Sequence, residues 1–378
     1  MANTAPWPRS SYLHVPFCAR KCGYCNFTVV ADRLDLADAY LQAIAKELDR
    51  TPGDHPVDTL YFGGGTPTQL PLAKLESLCQ LVSERRPLSP GGEWTVEANP
   101  SDVTSSLAAL LTEQGVTRVS LGAQSLNADK LRVLERDHAP QEVYAAVDTL
   151  RTAGLGVAVD LIFAAPGESL ADWLDDVTGV IGLQGDHVST YGLTYEQGAH
   201  FWGRQQRGEL IERPEELQRA MYSEAIDRLT DARFEHYEVS NFAQPGRRSR
   251  HNEAYWLGAE YFAEGPGAAR YVGGVRETNH RSTTTYLNRM LSGRSPVAER
   301  EELSSEQRAR ERLVFGLRRL EGINRDQFQK STGYDLDELA AGPLSKFVAE
   351  RMLVDDGASL RLSREGLMVS DALWPELL

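Results

Sequence analysis

Six times between residues 12 and 194 a short apolar run gives way to helical periodicity, and few topologies accept that rhythm. The runs are residues 12–17, 57–62, 93–98, 118–124, 157–163 and 187–194. After the first, Leu36, Tyr40, Ile44 and Leu48 recur every four residues and mark one face of a helix ending near Asp49. Helical patterns then cover about 72–85, run to about 113, cover about 128–135 and 141–153, and run to about 183. Strands separated by helices pair in parallel through right-handed crossovers. Six such units predict an α/β fold, either an open doubly wound sheet or an incomplete (β/α)6 barrel. In barrels of this kind chemistry gathers on the loops at the C-terminal strand ends. Those ends carry Gly63-Gly64-Gly65-Thr66-Pro67, Asn99-Pro100 and Ala164-Ala165-Pro166-Gly167.

Beyond this array, a helix is expected over 214–230 and a strand over 235–242. Residues 246–274, rich in glycine and aromatics, read as loop-dominated, and 301–320 as a helix. Met352-Leu353-Val354, Leu360-Arg361-Leu362 and a helix from Ser363 resemble a winged-helix hairpin in a small, mainly helical C-terminal domain. The expected division is 1–230 for the barrel, 231–300 for a connecting region and 301–378 for the C-terminal domain. A net charge of −14 disfavours nucleic acid as a partner, leaving basic runs such as Arg247-Arg248-Ser249-Arg250 as solvated surface. No stretch approaches the ~20 apolar residues of a membrane span. Met1 to Ser10 has no apolar leader core, so a cytoplasmic location is expected.

Three of the four cysteines, Cys18, Cys22 and Cys25, fall within eight residues directly after the first strand. So few cysteines do not make a disulfide framework. A structural zinc site wants four ligands and usually a second cysteine pair; only His14 or Cys79 could be recruited here. Ordinary ferredoxin ligation wants a fourth cysteine with its own spacing. Three thiolates can instead hold three irons of a [4Fe-4S] cluster and leave the fourth open.

The spacing C-x3-C-x2-C is the signature of the radical SAM (S-adenosylmethionine) superfamily. With Gly63-Gly64-Gly65-Thr66-Pro67, Glu97-Ala98-Asn99-Pro100, Leu121-Gly122-Ala123-Gln124-Ser125 and Asp160-Leu161-Ile162-Phe163, the chain resembles the oxygen-independent coproporphyrinogen III oxidase family over nearly its whole length. That resemblance implies a radical SAM partial barrel. It implies that Gly63, Gly64, Gly65 and Thr66 receive the methionine part of SAM, whose amino and carboxylate groups chelate the open iron. It further implies that Glu97, Gln124, Arg136 and Asp160 hold SAM, that Tyr12 lies beside the cluster and that Tyr24 packs on it. Arg136 suits a carboxylate through its planar fork, and Asp160 suits ribose hydroxyls. An external electron donor would reduce the cluster.

Within that family the loop departs from the oxidase branch, whose members read C-x3-C-x2-C-x-C and carry a longer segment before the cysteines. Here the last position is Phe27, and 17 residues precede Cys18. A loop ending in C-x-F with an H-N-x-x-Y-W motif resembles the HemW-type haem chaperones, and the chain has His251-Asn252-Glu253-Ala254-Tyr255-Trp256. The resemblance implies haem as cargo and an apo-haemoprotein as acceptor. Neutral imidazole binds haem iron, so His251 is the expected axial ligand, with Tyr255 on the same helical face and Trp256 adding flat apolar surface. Gly265-Pro266-Gly267-Ala268 also matches, but relatives commonly continue with histidine where this chain has Ala269-Arg270. The alternative is an enzyme, a coproporphyrinogen oxidase or another radical SAM catalyst on a tetrapyrrole; a zinc-stabilised binding protein is a third class.

Overall fold

The computed structural model describes residues 7–51 and 55–378; residues 1–6, most of the segment expected to lack a leader core, lie outside the described residues. Six parallel strands lie side by side in chain order: β1 (Ser10–Val15), β2 (Val57–Gly64), β3 (Leu88–Ala98), β4 (Arg118–Gln124), β5 (Gly156–Phe163) and β6 (His187–Gly192). Helices α1 (Ala37–Leu48), α2 (Leu72–Arg85), α3 (Ser105–Glu113), α4 (Pro140–Thr152) and α5 (Leu170–Gly182) make the crossovers. This is the expected α/β partial barrel.

Strand periodicity explains why the sheet curls around a polar interior. Alternate residues point to opposite faces. Leu60, Phe62, Trp94, Val96, Val119, Leu121, Val157, Val159 and Val188 are buried in the core they share with the helices, where α2 contributes Leu75, Leu78 and Val82. Their neighbours Tyr61, Thr95, Glu97, Arg118, Ser120, Asp160, His187, Ser189 and Tyr191 line a central cavity. Helix starts are fixed by side-chain caps. Thr104 accepts from the Leu107 N–H, and Ser169 and Asp172 form a reciprocal capping box at α5.

Among the described residues the sheet has twelve strands and is wider than the sequence suggested. Beyond β6, the strand expected over 235–242 is an antiparallel hairpin, β7 (Glu235–Glu238) and β8 (Asn241–Ala243), reached through α6 (Glu215–Asp231). The region expected to be loop contains a helix, α7 (Arg250–Trp256), and the beginning of a meander. In the meander β9 (Tyr261–Glu264) pairs parallel to β1, followed by antiparallel β10 (Ala269–Val272), β11 (Val275–Asn279) and β12 (Val297–Glu302). These strands are short and mostly half-buried, so they lack an apolar period. β12 is an outer edge with Glu299, Arg300, Glu301 and Glu302 exposed, as unpaired edges commonly are. For the same reason the helix expected from 301 begins at Ser305, behind a capping box of Ser304 and Gln307.

The C-terminal part packs helices Ser305–Arg318, Arg325–Thr332 and Leu336–Ala349 around a three-stranded sheet of β13 (Ile323–Asn324), β14 (Leu353–Asp355) and β15 (Ser359–Leu362). The β14–β15 hairpin and the following helix Arg364–Met368 are the expected winged-helix-like element. Contacts that dock this part on the barrel include Arg364 Nη2 to Asp227 Oδ2 at 2.9 Å and the Val239 N–H donating to the Arg318 carbonyl at 3.1 Å. The basic run 247–250 is structural rather than loose surface. Arg248 pairs with Glu235, Glu253 and Glu321, and the Arg247 carbonyl accepts from Arg118.

A buried polar seam fixes the meander to β1 and the helices behind it. Arg86, at the end of α2, is 1% exposed; it reaches Glu264 Oε1 at 2.8 Å and lies over the Phe262 ring. Glu47 of α1 accepts from the Gly265 N–H at 2.9 Å and from Asn279 Nδ2 at 2.6 Å. Breaking one half of a buried pair strands the other charge. Arg86→Ala is therefore expected to lower unfolding free energy by roughly 3–5 kcal/mol in urea titrations. Arg86→Met combined with Glu264→Leu should recover most of that loss, and an unchanged single-variant midpoint would contradict this account of the seam.

Candidate functional site

The cysteine loop leaves β1 at Val15 and crosses the mouth of a cavity of about 550 Å3 at the C-terminal strand ends. Cys18, Cys22 and Cys25 all line it, half-buried and free, with the Cys25 N–H closing a turn on the Cys22 carbonyl (3.1 Å). Burial pushes the Cys18 thiol up to about 12 and raises Cys25 as well, so ionised sulfurs here call for bound cations. Among the described residues no three His, Cys, Asp or Glu side chains converge on a point that could hold a single metal ion. Three thiols that each hold a different iron of a cluster need not converge on one point. Neither zinc candidate joins them. Cys79 is fully buried within α2, and His14 spends both nitrogens elsewhere.

Several elements hold the loop. His14 Nε2–H donates to the Thr28 carbonyl (2.7 Å) while Nδ1 accepts from the Tyr12 hydroxyl (3.1 Å). Phe201, the first turn of the helix His200–Gln206, donates its N–H to the Gly23 carbonyl (2.8 Å) and packs edge-on to Tyr24. A Cβ on Gly23 would overlap the Phe201 ring. The Gly265-Pro266-Gly267-Ala268 segment also belongs to this support, because a Cβ on Gly267 would sit 3.0 Å from Thr28 Cβ. Arg270, where relatives commonly have histidine, is bound to Glu277.

The glycines after β2 are dictated by what surrounds them. Gly64 has φ +106°, and a Cβ there would enter the His14 ring; one on Gly65 would lie 2.7 Å from the Val15 and Phe17 carbonyls. The Gly64 N–H donates to Glu97 Oε2 (3.0 Å), and Tyr61 Oη–H donates to Glu97 Oε1 (2.8 Å). Burial holds Glu97 up to about 7 and Asp160, which accepts from Ser120, up to about 6. Both are carboxyls short of positive partners. Arg136 donates to Cys22 Sγ (3.4 Å), Asn99 Oδ1 (2.8 Å) and the Gly122 carbonyl (2.9 Å), while its buried Nε has no acceptor. Gln124 takes φ +65°, costly for a side-chain-bearing residue, where the β4–β5 register shifts. Thr66 Oγ1 lies 3.7 Å from Cys18 Sγ. A cavity with thiols on one side, two electron-rich carboxyls, and an arginine with a spare donor suits a ligand bearing both an ammonium and a carboxylate. Tyr12 and Gly63 are the expected residues of this group that do not line the cavity; Tyr12 acts behind it through His14, and Gly63 lies against the Glu97 carboxyl and the Tyr61 ring.

Sequence reasoning missed Tyr61, Tyr191 and Phe201, and named His14 only as a possible zinc ligand. The first two sit at inward positions of their strands, a period-2 signal readable once the sheet faces are known. Phe201 lies outside every motif.

His251 sits on α7 as expected, and its Nε2 meets the Tyr255 hydroxyl at 2.9 Å across one helical turn. Its Nδ1 lies 2.9 Å from Thr59 Oγ1, and the ring stacks on Tyr61 with centroids 5.1 Å apart. The side chain is 1% exposed and burial lowers its pKa to about 3. Both nitrogens are engaged by hydroxyls, so axial ligation of haem iron by His251 would need the ring to leave Thr59 or Tyr255. Tyr255 and Trp256 are half-buried and face away from the cysteines, onto a second cavity.

Residues 12–178 match the Radical SAM superfamily and residues 303–369 the HemN C-terminal domain. The heme chaperone HemW of Lactococcus lactis is 32% identical over 98% of this chain and 97% of its own length. The heme chaperone HemW of Mycobacterium tuberculosis is 34% identical over 98% and 95%. Among solved structures, coproporphyrinogen III oxidase (HemN) from Escherichia coli, a radical SAM enzyme, superposes with a TM-score of 0.86 over 98% of this chain and 90% of its own, at 18% identity. That likeness establishes the shared fold. The matches to HemW proteins run from end to end, through the cysteine loop and the C-terminal domain alike, and the chain belongs to the HemW family of radical SAM proteins.

Proposed function

We propose that the chain is a haem chaperone, holding haem as cargo and passing it to an acceptor apo-haemoprotein. The observation that carries this reading is the end-to-end similarity to haem chaperones. The loop agrees with it, because Phe27, 65% exposed beside the cysteines, stands where the oxidase branch has a fourth cysteine and cannot act as a thiol. In this reading Cys18, Cys22 and Cys25 hold the [4Fe-4S] cluster, with Tyr24 packed at its side. Gly63, Gly64, Gly65 and Thr66 receive the methionine part of SAM. Glu97 accepts from its amino group, Arg136 faces its carboxylate and Asp160 its ribose hydroxyls, with Gln124 completing the wall. When bound, the cluster and SAM supply one-electron chemistry; the chain binds and orients them and limits water at the strand ends. Among the described residues no helix is long and apolar enough to cross a membrane. The domain division at 230 and 300 and a cytoplasmic location belong to the same reading, as does an external electron donor.

Glu97 gives the SAM assignment a pH signature. Its carboxyl is held up to about 7, so below that pH it is protonated and a weaker acceptor for the amino N–H groups. SAM affinity of the cluster-loaded protein is expected to rise as pH climbs from 6 to 8. In Glu97→Gln it should stay flat and be weaker at pH 8 by about ten- to a hundred-fold, the loss of one charge-assisted hydrogen bond. Equal pH profiles for the two would remove Glu97 from the SAM site.

The chaperone reading is tested by titrating haem into anaerobically reconstituted protein, followed by mixing with an apo-haemoprotein. The expected result is a saturable, near-stoichiometric Soret change that moves to the acceptor, with no product from coproporphyrinogen III. Absence of specific haem binding sinks the reading, and decarboxylation of the porphyrinogen installs the oxidase in its place.

A further inference from the structure

A second cavity of about 1100 Å3 lies at the opposite ends of the strands, and it shares no lining residue with the cysteine-lined one. Ser10 and Thr59, at the beginnings of β1 and β2, form its roof. Helix α7 separates the two spaces. Asn252 faces the upper cavity, Tyr255 and Trp256 face the lower, and His251 is locked between them against Tyr61 and Thr59. The remaining walls come from the β9–β11 meander and from the helix Ser305–Arg318.

Two chemistries meet in this space. Flat aromatic surface comes from Tyr255, Trp256, Tyr261, Tyr271 and Phe315, with Tyr255 and Tyr261 edge to face at 4.6 Å. Positive charge comes from arginines that carry no carboxylate. Arg250 donates to the Gly91 carbonyl (2.8 Å), Arg308 to the Leu303 carbonyl (3.4 Å) and Arg312 to the Ser331 carbonyl (3.2 Å), and among the described residues none forms an ion pair. The acids in the lining are already engaged. Asp58 pairs with Arg9, Glu311 with Arg276 and Glu253 with Arg248, and Glu260 accepts the Gly274 N–H (3.2 Å). Backbone without side chain keeps the room open. A Cβ on Gly258 would lie 2.8 Å from Arg312 Cγ, and one on Gly274 would overlap the Arg308 guanidinium. Arg308 and Arg312 stand four residues apart on one helical face. In a chain of net charge −14, a pocket with unpaired arginines over aromatic walls selects a flat, apolar ligand that carries carboxylates.

We propose that this lower cavity is the haem site, with Arg308 and Arg312 receiving the propionates, the aromatic walls receiving the ring, and His251 acting as a positioning residue through Tyr255. The proposal rests on the haem-chaperone reading and adds where and how the cargo is held. The lining among the described residues contains no His, Cys or Met, and burial raises its tyrosines Tyr255, Tyr261 and Tyr271, keeping them neutral phenols rather than phenolate ligands. Recognition therefore runs through the ring and its carboxylates rather than through a strong iron ligand, a mode of holding compatible with release to an acceptor.

The test titrates wild-type protein with haem, metal-free protoporphyrin IX and its dimethyl ester, reading porphyrin absorbance and fluorescence. Haem and protoporphyrin IX are expected to bind with similar affinity, and the ester about ten- to a hundred-fold more weakly. Arg308→Ala/Arg312→Ala should weaken the two acids by a similar factor while leaving the ester unchanged. Ala254→Trp, which fills the cavity without touching an arginine, should abolish all three, with circular dichroism confirming that each variant is folded. Haem binding that survives both variants would overturn the location while leaving the chaperone reading intact. No haem binding by wild type would remove that reading and the location with it.

Discussion

Everything in this molecule follows from a barrel whose strands turn their polar residues inward. Helices cover the outer face, where the strand residues Leu60, Val96, Val119, Val159 and their neighbours are buried, so the apolar half of each strand is satisfied there. The inner half, with Tyr61, Glu97, Arg118, Asp160, His187 and Tyr191, must find partners in a confined space. Buried polar groups left unmatched are costly. Some are matched within the chain, as Glu97 is by Tyr61 and Gly64, and others, such as the Arg136 Nε, have none. The Arg136 Nε lies at the cysteine end, where a ligand carboxylate would complete it.

Helix α7 gives the barrel a floor. His251 carries hydrogen bonds from β2 to Tyr255, while its ring lies on Tyr61, whose hydroxyl holds Glu97. One continuous set of contacts thus runs from the carboxyl facing the upper cavity to the aromatic wall of the lower one. A motif that reads in sequence as a metal ligand with flanking aromatics is, in the fold, a partition between two compartments. Its histidine is neutral and buried because its task is to hold two hydroxyls at once.

The six barrel strands, the five crossover helices and the winged-helix-like hairpin were legible because their periods are regular and their ends carry glycine or proline. Residues gathered at the strand ends were legible for the same reason, since parallel topology brings distant loops together once the strands are placed. The meander was not. Its strands are short, half-buried and charged at the edge, so no apolar alternation marks them, although Val272-Gly273-Gly274-Val275 was a hairpin signal: both glycines take positive φ, 62° and 77°. The role of His251 was not legible either, because spacing gives which face of a helix a residue occupies but not what is packed on that face. Arg308 and Arg312 lie on a helix whose sequence looks like ordinary charged surface, and only the meander folding over it encloses them.

The central claim is that one chain keeps its iron-sulfur and cargo sites in separate compartments on either side of α7. Comparing haem titrations of wild type and the Cys18→Ser/Cys22→Ser/Cys25→Ser variant, both free of cluster and SAM, tests it most directly. Separate compartments predict the same stoichiometry and an affinity unchanged within about two-fold, because residues so far from the cargo contribute additively. Loss of haem binding in the cysteine variant would contradict the account and return the haem to the cysteine-lined cavity.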